Sequence, residues 1–217
     1  MKLDPEKKEI AILKSLIDLK NKDILEVGCG DGRITEMLNQ KDNNILAIEP
    51  DKDQLRLARK KVSDVKFEVG TMSNLKTKKT FDLIIFSMSF HHVPARSKKI
   101  VIQKALSLLN KNGEVWLIEP ALEGQVCEVI IILMPAERKR IEDANKVFKE
   151  LRILKKKSVE LKWYYENYSD FLAFFKEVVN TRICSKRLDK IKKIMQIKDE
   201  KVKILLKDKI NYFLIKN

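Results

Sequence analysis

Two periods of hydrophobicity alternate along the first 120 residues. Short, nearly continuous apolar runs recur at Ile24–Val27, Ile45–Ile48, Val65–Val69, Leu83–Phe86 and Val115–Ile118. Runs of that length, set off by polar and glycine positions, fit strands buried on both faces. Between them, Ile34–Asn39, Lys52–Val62 and Ser97–Leu109 have the spacing of amphipathic helices. The last stops at Asn110-Lys-Asn-Gly113, a glycine-marked helix end. Upstream, apolar residues at 10, 12, 13, 16, 17 and 19 predict a covering helix within residues 1–20. Strands separated by helices, with right-handed crossovers, give an α/β, doubly wound and mostly parallel sheet covered on both faces.

After Pro120 the pattern changes. Residues 121–156 read as helical with a break near Pro135, and Ser158–Tyr165 as a strand ending in Trp163, Tyr164 and Tyr165. A helix is expected from Ser169-Asp170 through Val179, and a strongly basic one over Ser185–Ile197. Lys203–Leu206 and Lys209–Lys216 read as extended, with Asp208 in a turn and the final strand at Ile210–Lys216. No internal repeat or low-complexity linker interrupts the chain. Residues 1–217 are therefore expected to form one doubly wound domain, with a helix-rich region at 121–200 and a closing strand at 203–217.

Composition narrows the class. The longest apolar run, Val129–Met134, falls far short of the roughly 20 residues of a membrane-spanning helix. The first residues lack the apolar stretch of a signal peptide. Three cysteines, at 29, 127 and 184, form neither a metal-binding spacing nor a disulfide framework, which suits a reducing cytoplasm. The net charge is +14, with 23 Lys and Arg against 12 Asp and Glu in residues 136–217. A basic C-terminal third could meet RNA, an anionic surface or an acidic substrate, but its lysines are dispersed and lack interleaved stacking aromatics. Dispersed, solvated lysines are the plainer reading.

The chemistry concentrates in Asp23-Ile-Leu-Glu-Val-Gly-Cys-Gly-Asp-Gly-Arg-Ile-Thr35, a strand, a turn with glycines at 28, 30 and 32, and a helix start. Such glycines let backbone approach a ligand where a Cβ would clash, and the helix start offers free N–H groups. A dinucleotide fingerprint would need its third glycine at position 33, which is arginine. Glu26 would also repel a pyrophosphate. The turn instead suits a ligand without phosphate and with a cationic group.

With these residues the chain resembles the class I S-adenosylmethionine-dependent methyltransferases, in their small-molecule, type 11-like group. Glu26, Gly28, Gly30 and Gly32 match the family's acid-x-G-x-G-x-G motif, and Glu49, in Leu46-Ala-Ile-Glu-Pro-Asp51, matches its ribose-binding acid. The family's usual Gly-Asp-Ala is Gly70-Thr71-Met72 here, so a hydroxyl or backbone contact must replace the acid near the adenine. The strand-four segment Phe81–Val93 and the segment Leu109–Pro120 are similar to the family's next landmarks, and Lys207–Lys216 to its closing antiparallel strand. The resemblance implies a sheet of order 3-2-1-4-5-7-6 and S-adenosylmethionine as cofactor. Its binding residues would be Glu26, Gly28, Cys29, Gly30, Gly32, Glu49, Pro50, Thr71, Met72 and Ser87. Met88 would stand beside them.

His91 and His92, the chain's only histidines, fall where the resemblance places an acceptor, and either is a candidate catalytic base or a packed turn residue. Trp163, Tyr164 and Tyr165 are candidates for an acceptor pocket or for strand packing; Phe171, Phe174 and Phe175 sit at core spacing. Ser87-Met-Ser-Phe90 lacks the Asn/Asp-Pro-Pro-aromatic signature of enzymes that methylate adenine amines or glutamine amides. No cysteine lies between 81 and 120, as cytosine-C5 chemistry would require, and no metal site is expected. A small-molecule acceptor is the first expectation. The alternatives are RNA methylation through the basic 182–207 region, and a cofactor-binding protein that acts through a partner. The oligomeric state is left open.

Overall fold

The computed structural model describes residues 2–3, 8–40, 42–179, 183–197 and 199–216. The elements run β1 (Lys2–Leu3), α1 (Lys8–Leu16), β2 (Asp23–Val27), α2 (Arg33–Leu38), β3 (Asn44–Glu49), α3 (Lys52–Lys61), β4 (Lys66–Val69) and β5 (Phe81–Ser87). Two 3-10 turns follow, Phe90–His92 and Ala95–Ser97. Then come α4 (Lys98–Ser107), β6 (Leu109–Gly124), α5 (Gln125–Leu133), α6 (Ala136–Glu150), β7 (Lys155–Tyr165), α7 (Tyr168–Val179), α8 (Ser185–Ile194) and β8 (Ile204–Ile215). Residues 4–7 of the expected covering segment, and Arg182 and Lys198 of the basic region, lie outside the described residues.

The strand order is β1-β7-β8-β6-β5-β2-β3-β4. Without the two-residue β1, this is the expected 3-2-1-4-5-7-6 sheet. β2 pairs in parallel with β3 and β5, β3 with β4, and β5 with β6. The register sets Ile24 beside both Ile45 and Leu83, so the apolar runs form the sheet's interior. The short β4 closes one edge and carries Lys66, whose ammonium pairs with Glu68 at 2.7 Å; charged, short strands discourage further pairing. β1 was not expected: it pairs antiparallel with Tyr164 and Trp163 of β7, and two residues carry no readable period.

Several boundaries moved. β6 begins at Leu109, inside the expected helix stop, and continues to Gly124. Gly113 serves the sheet as well as the turn, because a Cβ there would lie 2.8 Å from the Phe81 carbonyl oxygen. Asp208 is not in a turn: β8 runs unbroken through it, and its side chain is buried. Its carboxyl accepts from the Lys209 N–H at 3.0 Å and from the Trp163 side chain, while burial pushes its pKa up to about 7.

The chain groups into two compact units, with β6, β7 and β8 running through both. One comprises residues 14–119, 143–157 and 211–217. Its core joins Leu25, Ile48, Ile84 and Phe86 to Phe148 of α6 and Phe213 of β8. Phe148 stacks on Phe90 at 5.5 Å and lies 4.6 Å from Phe213, centroid to centroid. The other unit comprises 1–13, 120–142 and 158–210. Its core packs Val129 and Leu133 of α5 with Tyr165, Phe171, Phe175 and Ile191. Tyr165 meets Phe171 at 5.3 Å and Trp163 meets Phe174 at 6.1 Å, so these aromatics serve packing. Among the described residues, no helix is long and apolar enough to cross a membrane.

Phe148→Ala should lower stability by about 3–5 kcal/mol, the range for emptying a buried phenylalanine site. Chemical denaturation followed by circular dichroism measures it. A loss under about 1 kcal/mol would mean that the site collapses without the ring.

Candidate active site

In the first unit a cavity of about 730 Å³ opens at the carboxyl ends of the parallel strands, where open α/β sheets hold their ligands. Its walls come from the turn after β2, the end of β3, residues 70–73 after β4, and residues 87–101 after β5. Of the expected site residues, Glu26, Gly28, Cys29, Gly30, Glu49, Pro50, Thr71, Met72, Ser87 and His92 line it. Gly32 and His91 do not.

Local geometry shows what each glycine does. Gly28, Gly30 and Gly32 all have φ between +54° and +84°, conformations that a side chain strains. A Cβ on Gly28 would fall 2.5 Å from the Ser89 Cβ, so this glycine admits the turn after β5. A Cβ on Gly32 would lie 3.0 Å from Ala58 Cα, so it admits α3. A Cβ on Gly30 would meet nothing within 4 Å. Gly30 therefore keeps space in the cavity, and Gly32 keeps the turn packed.

Three acids and one thiol shape the electrostatics at the β2 end. Glu26 is buried, and its Oε2 accepts from the Thr35 hydroxyl at 2.6 Å while Oε1 has no hydrogen-bond partner. Burial pushes its pKa up to about 8, opposed by the Thr35 bond and by Arg33, and aided by Glu49 and Asp31. Burial and the same acids push the Cys29 thiol well above its ordinary range, so it stays protonated and is no nucleophile. Glu49 is held by backbone: Oε2 accepts from the Gly30 N–H at 2.9 Å and Oε1 from the Asp51 N–H at 3.0 Å. A carboxylate has about four lone-pair sites, so acceptor capacity remains at Glu49. Asp51 in turn caps α3 through the N–H groups of Asp53 and Gln54.

At the β4 end, the Thr71 N–H donates to Asn74 Oδ1 at 2.8 Å, while Met72 is buried in the wall. At the β5 end, Ser87 Oγ is buried without a partner, Met88 adopts φ +52°, and Ser89 Oγ donates to the Val27 carbonyl at 2.6 Å. His91 is buried with Nδ1 2.6 Å from Glu119 Oε2, whereas His92 is exposed on the cavity wall. Sequence reasoning missed Thr35, Ser89, Lys98 and Glu119. The acid-x-G-x-G-x-G spacing does not reveal Thr35, and Glu119 acts on residues about 30 positions away.

A family model described as "Methyltransferase domain" matches residues 24–113. An uncharacterized methyltransferase of Alkaliphilus oremlandii is 29% identical over 167 residues, covering 76% of this chain and 70% of the relative. One from Staphylococcus carnosus is 28% identical over 47% of this chain and 49% of its own length. A solved protein of Bacillus halodurans superposes with a TM-score of 0.68 at 15% identity, covering 95% of this chain and 97% of that one. YcgJ of Bacillus subtilis gives 0.61 at 15% identity, covering 97% and 99%; both share the fold. Residues 24–113 thus match a methyltransferase domain, and the relatives and the strand order are similar to those of class I S-adenosylmethionine-dependent methyltransferases.

The raised pKa of Glu26 has a definite consequence for stability. The folded chain keeps a proton that the unfolded chain releases near the ordinary value of 4.5. Stability is therefore fully supported below that pH and falls as pH rises towards about 8, by up to about 1.4 kcal/mol per unit. Glu26→Gln should flatten this slope between pH 5 and 8 in urea titrations; an unchanged slope would remove the assignment. Gly32→Ala should cost about 1–3 kcal/mol through strain and the contact with α3, read by the same titration.

Proposed function

We propose that this methyltransferase acts on a small-molecule acceptor, and that the cavity residues named above hold its cofactor. S-adenosylmethionine, when bound, supplies a methyl group on a sulfonium for in-line transfer. The cavity fits such a ligand. The partnerless Glu26 oxygen suits its ammonium group, Glu49 retains acceptor capacity for ribose hydroxyls, and Gly30 leaves room for close backbone approach. Thr71 and Met72 take the adenine end. A hydroxyl and an apolar face there replace the acid expected from the resemblance.

The rest of the cavity carries the acceptor reading. Beyond Ser87 and Met88, its wall is Ser89, His92, Val93, Pro94, Ser97 and Val101. Of the 45 lysines and arginines in the chain, Arg33 alone lines the cavity among the described residues. A wall of apolar groups, hydroxyls and one imidazole suits a compact acceptor with little negative charge. It offers no track of cations for a phosphate backbone, as an RNA acceptor would need. On this reading His92 takes the proton of an acceptor hydroxyl or amine, as a base near neutral pH. His91 packs behind it.

Calorimetry with S-adenosylmethionine, S-adenosylhomocysteine and NAD tests the cofactor assignment. Saturating S-adenosylhomocysteine at a hundredfold its Kd should stabilise the chain by about 2.7 kcal/mol, and NAD should not. Affinity should rise with pH up to about 8, because Glu26 must lose its proton to pair with an ammonium. Glu26→Gln should abolish that slope and weaken binding at least tenfold, about 1.4 kcal/mol. Stabilisation by NAD alone would refute the site assignment. Labelled methyl transfer should appear in a metabolite pool rather than in RNA; label in RNA alone would overturn the acceptor reading.

A further inference from the structure

The turn that carries His92 is gripped from both ends by buried charges. Within β6, Glu119 is 2% exposed. Its Oε1 accepts the N–H groups of Ser89 at 3.1 Å and Phe90 at 2.8 Å. Its Oε2 accepts the His91 N–H at 3.0 Å and lies 2.6 Å from His91 Nδ1. Three backbone N–H groups and one ring nitrogen thus surround one carboxylate. At the other end Lys98, which opens α4 and is 1% exposed, donates to the carbonyls of Phe90 at 2.8 Å and His91 at 2.9 Å. Its ammonium also lies 4.8 Å from the centroid of the Phe90 ring. An anion at the N-terminal end and a cation at the C-terminal end match the polarity of the turn's peptide dipoles.

A three-residue turn does not need two buried ions in order to form, and desolvating them carries a cost. What six directed hydrogen-bonding contacts do fix is orientation. Met88, two residues before the turn, is held in a left-handed conformation, with its N–H on the Ile118 carbonyl at 2.7 Å. Such a conformation persists only where its surroundings determine it. Successive residues of a 3-10 turn are rotated by about 120°. Anchoring the His91 ring on Glu119 therefore sends the next side chain another way, onto the cavity wall. The two imidazoles meet with centroids 4.0 Å apart and planes tilted by 41°, so His91 buttresses His92.

We propose that Glu119 and Lys98 are positioning residues of the transferase site, which from opposite ends of the 90–92 turn hold His92 at the acceptor wall. The proposal rests on the methyl-transfer reading above. It predicts a difference between the two histidines: His91 is locked as its Nδ1–H tautomer against a carboxylate, and His92 senses the contents of the cavity.

With two histidines in the chain, 15N-histidine labelling of the full-length protein gives two imidazole spin systems. In the parent, S-adenosylhomocysteine should shift the His92 ring nitrogens and leave those of His91 in place, with Nδ1 protonated. In Glu119→Gln the amide presents an N–H to His91, which should change to the Nε2–H tautomer. Lys98→Met should keep the His91 tautomer. Both variants should bind S-adenosylhomocysteine within about threefold of the parent, yet lose the His92 response. That loss at retained affinity is what general destabilisation would not produce. A parent unable to bind S-adenosylhomocysteine would refute the cofactor reading. Binding with an intact His92 response in the variants would overturn the positioning role alone. If one variant does not fold, the other decides. An unprotonated His91 Nδ1 in the parent overturns the proposal whatever the variants do.

Discussion

The site depends on one close approach. The turns after β2 and β5 meet where Gly28 faces Ser89, with no room for a Cβ on the glycine. Ser89 Oγ closes the contact by donating to the Val27 carbonyl at 2.6 Å. One turn carries the residues that suit a cofactor, and the other carries those that suit an acceptor. In-line transfer requires the two groups to be held in a fixed relation, since misplacement by about an ångström costs orders of magnitude in rate. A sheet of adjacent parallel strands supplies that relation without a linker. β2 and β5 are direct neighbours, paired from Ile24 with Leu83 to Val27 with Phe86, so their turns leave the sheet side by side.

Three glutamates near this junction illustrate how environment divides one chemistry into three roles. Glu119 is buried but surrounded by donors, so burial of its charge is compensated and it acts as a structural anion. Glu49 is bonded to backbone N–H groups at the rim and remains available as an acceptor. Glu26 is buried with one hydroxyl donor and one oxygen without a partner, so the free site favours its neutral form. A carboxyl of that kind is costly to ionise alone and strongly favours a cation that can reach it. The arrangement makes ligand charge, rather than ligand size, the primary criterion at that end of the cavity.

Much of the fold could be read from the chain because buried parallel strands write themselves as apolar runs. Ile24–Val27, Ile45–Ile48 and Leu83–Phe86 were found within one or two residues of their observed ends. Strand order came from the resemblance rather than from the runs. What escaped was information held across distance. Glu119 directly follows the apolar run Val115–Ile118 inside β6, and nothing near it in sequence shows that its partners are the N–H groups of 89–91. His91 and His92 are adjacent and identical, and only the rotation of a 3-10 turn separates their surroundings. Asp208 reads as a turn residue by propensity, but neighbours on β8 and a bond from Trp163 keep it in the strand. Propensity is a weak guide where tertiary partners satisfy a polar group. Gly32 belongs to the same motif as Gly28 and Gly30 yet answers to Ala58 rather than to the cavity.

Charge makes the clearest separation between global and local properties. The chain carries +14 overall, a quantity that governs solubility and long-range attraction to anions. The cavity has the opposite bias: Glu26 and Glu49 are set against the single cation Arg33, and the raised pKa of Glu26 stores the negative charge as a proton until a cation arrives. A ligand bearing a sulfonium and an ammonium is favoured by that local balance, not by the field of the whole protein. At the opposite end, beyond Met88, the wall reduces to apolar groups, hydroxyls and His92, where neither sign of charge is rewarded. On the proposed reading, one cavity selects by charge at the β2 end and by shape and a single imidazole at the β5 end. That is the division of labour expected when one ligand is common to a whole family and the other is particular to each member.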